Sequence, residues 1–117
     1  MQDGYLTVQT FLSAESYGVE GVKITLSDGR VLYTDENGFT ETVVIEAPNK
    51  ETGLKPDMGT PYTSIDLTAR KEGFFTIILK NVQVFPTETT LQKIQMLPIP
   101  ENGGGGEIIY TMPPQNL

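Results

Sequence analysis

Cysteine, histidine and tryptophan are all missing from the 117 residues. Each absence removes a class of chemistry. Without cysteine there is no disulfide framework, no thiol nucleophile and no zinc–thiolate site. Without histidine there is no Ser-His-Asp triad, no imidazole-ligated metal and no ordinary general base near neutral pH. Basic residues are scarce: 8 Lys and Arg stand against 15 Asp and Glu, a net charge of −7. Nucleic acid and anionic membranes are held by clustered Lys and Arg, so neither is an expected partner. No run of like charges exceeds two residues, which spreads the acidity over a solvated surface. No apolar stretch approaches the ~20 residues of a membrane-spanning helix, so no membrane insertion is expected. The opening "MQDGYLTVQTFL" lacks a basic n-region and a long apolar h-region, so no secretory signal is read there and the compartment stays open.

What is present is alternation. In "YLTVQTFL" Leu6, Val8 and Leu12 share one parity while Thr7 and Gln9 take the other. "GVKITLS" sets Val22, Ile24 and Leu26 against Lys23, Thr25 and Ser27, and "SIDLTAR" sets Ile65, Leu67 and Ala69 against Asp66, Thr68 and Arg70. Successive side chains on a strand face opposite ways, so each run predicts a strand with one buried face. Further strands are expected over 31–34, 42–47, 74–79 with 82–85, and 91–97. Apolar parity breaks between Leu79 and Val82, which predicts a bulge or bend at Lys80 and Asn81. No twelve-residue window carries a helical stripe.

Turn chemistry separates the runs: "SDG" at 27–29, "KEG" at 71–73 and "FPTET" at 85–89. About seven short strands with turns this regular predict an all-β antiparallel Greek-key sandwich. The sandwich is expected over residues 1–97, with 98–117 a Gly/Pro-rich tail or linker. That tail holds the glycine run 103–106 and then "EIIYT", which is able to pair onto a sheet edge here or on a partner. The polar connection 48–61, "PNKETGLKPDMGTP", is either functional or merely mobile.

The acidic turn "DENG", Asp35 to Gly38, invites a calcium reading. Counted from Asp35, the fifth position of an EF-hand loop falls on Phe39, which has no side-chain ligand, and the obligatory glycine falls on Thr40. A turn is the better reading: Asp and Asn accept backbone hydrogen bonds, Gly38 supplies the left-handed conformation, and Phe39 restarts the buried face.

The order "GVEGVKITLSDG", "TDENGF", "YTSIDLTARKEGFFTIILKNVQVF" resembles the carboxypeptidase regulatory-like or prealbumin-like (transthyretin-like) domains. The matching elements are Gly21 to Ile24, Thr34 to Phe39, and Gly73 with Phe74; the likeness covers about residues 4 to 97. "NVQVF" and "PPQNL" also resemble a version of this domain in Firmicutes spore and cell-wall proteins. The resemblance implies a non-catalytic accessory module, with cell-surface or spore association. The family's hydroxyisourate hydrolase branch relies on histidines and a distinct C-terminal motif, both missing here. Related sandwiches hold a Lys–Asn isopeptide bond; Lys23 lies on polar parity and the first strand has no Lys, so no cross-link is expected.

No catalytic residue, cofactor or metal is expected. Glu41 with Glu46, and Asp66 with Glu72, are the carboxylate pairs an acid–base reaction would use, but each residue reads more simply as part of a solvated strand or turn. Ser13, Ser16, Ser27 and Ser64 have no visible base, and "GGGG" has no Lys-Ser or Lys-Thr after it and so is not a phosphate loop. Tyr17, Tyr62, Phe85 and Tyr110 are the aromatics that parity does not send inward. Gathered on one open face they would suit a protein partner or a cell-wall glycan; otherwise they cap the ends of the sandwich.

Overall fold

The computed structural model describes residues 3–12, 18–46, 62–101 and 103–112. Their regular structure is all β, in eight strands. These are β1 (Gly4–Phe11), β2 (Lys23–Leu26), β3 (Val31–Tyr33), β4 (Val43–Ile45), β5 (Thr63–Arg70), β6 (Thr76–Val84), β7 (Thr89–Gln95) and β8 (Glu107–Thr111). A three-stranded sheet, ordered β4-β1-β7, packs on a five-stranded sheet, ordered β3-β2-β5-β6-β8.

The alternating residues fill the space between the sheets. Leu6 and Val8 from β1, Ile24 and Leu26 from β2, Leu67 and Ala69 from β5, and Ile77 from β6 are all buried, closed off by Ile94 of β7 and by Met96 just after it. Branched side chains suit this pleated, half-buried setting, which is why the runs become strands.

The sandwich stands, but it is mixed rather than purely antiparallel. β1 pairs with β7 in parallel, and β6 pairs with β8 in parallel. Period-two patterning is identical in both kinds of ladder. Direction is decided by where each connection crosses between sheets, and that is a tertiary property. The eighth strand is "EIIYT", which pairs with the edge of its own sheet.

Two local expectations are corrected. Leu12 has core parity but lies one residue past β1 and is exposed. Phe39 is only half-buried, while its neighbours Gly38 and Thr40 take the inward positions. The break at Lys80 and Asn81 is a bulge: Ile65 pairs with Val82 and Leu67 with Leu79, so Asp66 faces both extra residues. Asn81 takes the left-handed conformation (φ 64°) that asparagine tolerates better than most residues.

Candidate interaction surface

The acidic turn is built from its own backbone. The Asp35 carboxylate accepts hydrogen bonds from the N–H groups of Asn37 (2.9 Å) and Phe39 (3.0 Å), and the Gly38 N–H donates to the Asp35 carbonyl (2.9 Å). Gly38 has φ 86°, and a Cβ there would lie 2.3 Å from the Thr10 carbonyl oxygen, so no other residue fits. Three buried threonines fasten this end to the core. Thr34 donates its hydroxyl to the Val19 carbonyl (2.6 Å) and accepts from the Val22 N–H (2.9 Å). Thr10 donates to the same Val19 carbonyl (2.9 Å), and Thr40 accepts from the Val8 N–H (3.0 Å). The turn is a structural corner in which one Asp35 carboxylate oxygen is engaged by two backbone amides. Among the described residues no three acidic side chains are grouped closely enough to hold a metal ion.

Of the four carboxylates in the expected pairs, Asp66 alone lies within a strand. Glu41, Glu46 and Glu72 are exposed. Asp66 accepts the Asn81 N–H (2.9 Å) and so supports the bulge. Ser27 accepts the Asp66 N–H, and the hydroxyl of Ser64 bonds the Asn81 side-chain oxygen. Ser13, Ser16 and the connection 48–61 lie outside the described residues.

Arg30 links the two sheets. It forms an ion pair with Asp28 (2.7 Å) and donates to the Val44 carbonyl on β4 (2.8 Å). Hydrogen bonding from Arg30 holds the Asp28 carboxyl below its ordinary value. Both groups edge a cleft of about 700 Å³ between β4 and β5, whose walls include Ser27, Ile45 and Thr63.

The three described aromatic candidates do not form one face. Tyr62 and Phe85 are brought together, ring centroids 5.6 Å apart and tilted by 57°, with Phe85 buried. Tyr110 is 45% exposed on β8, opposite Leu79. Leu79 and Phe85 are six positions apart along the β6 direction, which separates Tyr110 from that pair by roughly 20 Å. Tyr110 lines a smaller cleft of about 290 Å³ with Gln92 and Lys93 of β7 and Met112. Tyr17 lies outside the described residues.

The surfaces that sequence reasoning missed are the outer sheet faces. On the three-stranded sheet Tyr5 pairs with Val44, and Thr7 with Leu91; Tyr5, Val44 and Leu91 are all exposed. On the five-stranded sheet the registers align Val31, Thr25, Thr68, Ile78 and Ile109 in one transverse row, with Val31 and Ile109 exposed at its two ends. Alternation marks these residues as outward. It does not show that they stand side by side, because that depends on register.

No family model matches the chain, and no curated protein does. Solved structures do match it in fold. "The Bacillus anthracis TIE protein" superposes with a TM-score of 0.58 at 11% identity, over 84% of this chain and 17% of that one. A chain of a type II cohesin–X-dockerin complex from Acetivibrio cellulolyticus superposes with a TM-score of 0.52 at 14% identity, over 81% of this chain and 58% of that one. The protein thus shares a β-sandwich fold with bacterial proteins that are longer than itself.

Proposed function

We propose that the chain is a non-catalytic structural or protein-interaction module of a larger bacterial cell-surface, cell-wall or spore-associated protein. Its body, residues 1–97, takes a prealbumin-like arrangement, and the segment 98–117 supplies the added edge strand. One observation carries this reading: the outward face of the three-stranded sheet bears Tyr5, Val44 and Leu91, all exposed, while Asp35 and Asp66 are tied to backbone amides and Glu41, Glu46 and Glu72 are exposed. An exposed apolar patch of this kind suits contact with another protein surface. The fold likeness to a chain of a cohesin–X-dockerin complex supports the same class of role.

A second reading, a glycan- or peptidoglycan-binding accessory module, is favoured by Tyr110. Its half-open ring stands over a cleft edged by Gln92 and Lys93, a mix of stacking surface and polar groups that sugars use. The two readings separate in one sedimentation assay. Cell envelopes and protease-stripped peptidoglycan are each incubated with the protein, the Leu91→Lys variant and the Tyr110→Ala variant. Retention on envelopes only, lost in Leu91→Lys, supports the protein-interaction reading. Retention on stripped peptidoglycan, lost in Tyr110→Ala, moves the assignment to glycan.

A further inference from the structure

Four strands end the two sheets, and three of them are guarded. β3 is three residues long and β4 has its Val44 carbonyl capped by Arg30. β7 carries Lys93 on its edge. Short length, side-chain caps and lysine are the usual means of blocking a sheet edge. β8 has none of them: its five residues, "EIIYT", hold no Lys, Arg or Pro, and its one charge is at the first position.

The parallel ladder fixes which groups of β8 are free. Thr76 donates to the Gly106 carbonyl, and Met112 donates to the Lys80 carbonyl. Even-numbered residues of β8 therefore face β6, and the N–H and C=O groups of Glu107, Ile109 and Thr111 point away from the sheet. Among the described residues no strand lies beyond them. Ile109 is 56% exposed at the midpoint of this row.

We propose that the free edge of β8 pairs antiparallel with the same edge of a second copy, about a twofold axis through Ile109. The sequence of β8 is complementary to itself in that register. Ile109 meets Ile109 of the other copy, Glu107 meets Thr111, and Ile108 meets Tyr110. These are an aliphatic pair, two carboxylate–hydroxyl pairs and two aromatic–β-branched pairs, all favourable across antiparallel strands. It is the register that pairs all five residues. Sliding the strands by two residues towards their N-termini sets Glu107 against Glu107 after a second step, where like charges repel. A twofold contact of this kind is self-complementary and closes at two copies. The buried surface is small, so the association is weak and depends on protein concentration.

This deepens the interaction-module reading by naming a second copy as a partner, and it is tested on pure protein, so it stands or falls separately from binding to envelopes. Sedimentation equilibrium between about 20 μM and about 1 mM is expected to show the 12.9 kDa chain moving towards twice that mass. Thr111→Glu, which opposes Glu107 of the other copy, is expected to weaken association at least tenfold, and Thr111→Lys to strengthen it severalfold in low salt. Thr111 is exposed, so both variants are expected to keep the fold. Because the chain has no cysteine, Ile109→Cys is a clean reporter: hydrogen-bonded antiparallel partners lie ~5.5 Å apart at Cα, within disulfide range. Oxidation should link Ile109→Cys into dimers and leave Val31→Cys, on the far edge, monomeric. A monomer at about 1 mM overturns the proposal. So does a dimer indifferent to both Thr111 variants, the behaviour of a strand-exchanged pair.

Discussion

Asn81 shows how much one residue carries. Its backbone holds the left-handed conformation that the bulge needs, its N–H reaches Asp66, and its side-chain amide donates to the Met112 carbonyl at 3.0 Å. It therefore ties β5, β6 and the end of β8 together. Asn81→Ala strains the backbone and releases two side-chain bonds, an expected loss of about 1–3 kcal/mol in urea unfolding. Asn81→Gly, which keeps the backbone relaxed, should lose clearly less. Asp28 gives a pH signature. Its carboxyl is depressed below its ordinary value of 3.8, so the ion pair stabilises the fold above that pH and the contribution disappears as pH falls through the depressed value. The pair is more than a third exposed, which limits its worth to well under about 1 kcal/mol. Asp28→Asn is expected to flatten the acid side of the stability curve below about pH 4 and leave stability at pH 7 nearly unchanged.

At the scale of elements, the corner around Asp35 and the strand β8 are opposites. The corner is held by Thr10, Thr34 and Thr40 from inside and admits only glycine at 38. β8 is held mainly by its backbone ladder, with four of its five side chains exposed, and it follows the glycine run 103–106. Backbone bonds with little apolar cover open at low free energy. Hydrogen exchange in dilute protein should find Ile108 and Tyr110 amides protected far less than those of Leu67 and Ala69, while Ile109 exchanges as a free amide. Equal protection for β8 and β5 would contradict this view of the strand.

For the whole molecule, the inequality of the sheets matters most. Three strands cannot cover five, so the five-stranded sheet extends past β7 and leaves the inward side of Tyr110 partly open. The core lies where the sheets overlap. Leu67, fully buried on the central strand β5, is at its middle, and Leu67→Ala is expected to cost about 2–5 kcal/mol by denaturant titration. A loss under about 1 kcal/mol would mean that the two sheets do not pack as described.

The alternation of small apolar and polar residues determined an all-strand sandwich, because side-chain period alone says which face of each run is buried. Turn residues were equally legible: Asp35 with Gly38, Asp28 with Gly29, and the parity break that became the bulge at Asn81 all act locally. Strand direction was not legible, since β1–β7 and β6–β8 have the same periodicity they would have if antiparallel. Nor was the grouping of side chains. That Tyr62 meets Phe85 and not Tyr110, and that Val31 and Ile109 end one row, depends on register between strands far apart in the chain. Sequence patterning is a one-strand property; surfaces for partners arise only when several strands are aligned, and only the tertiary structure sets that alignment.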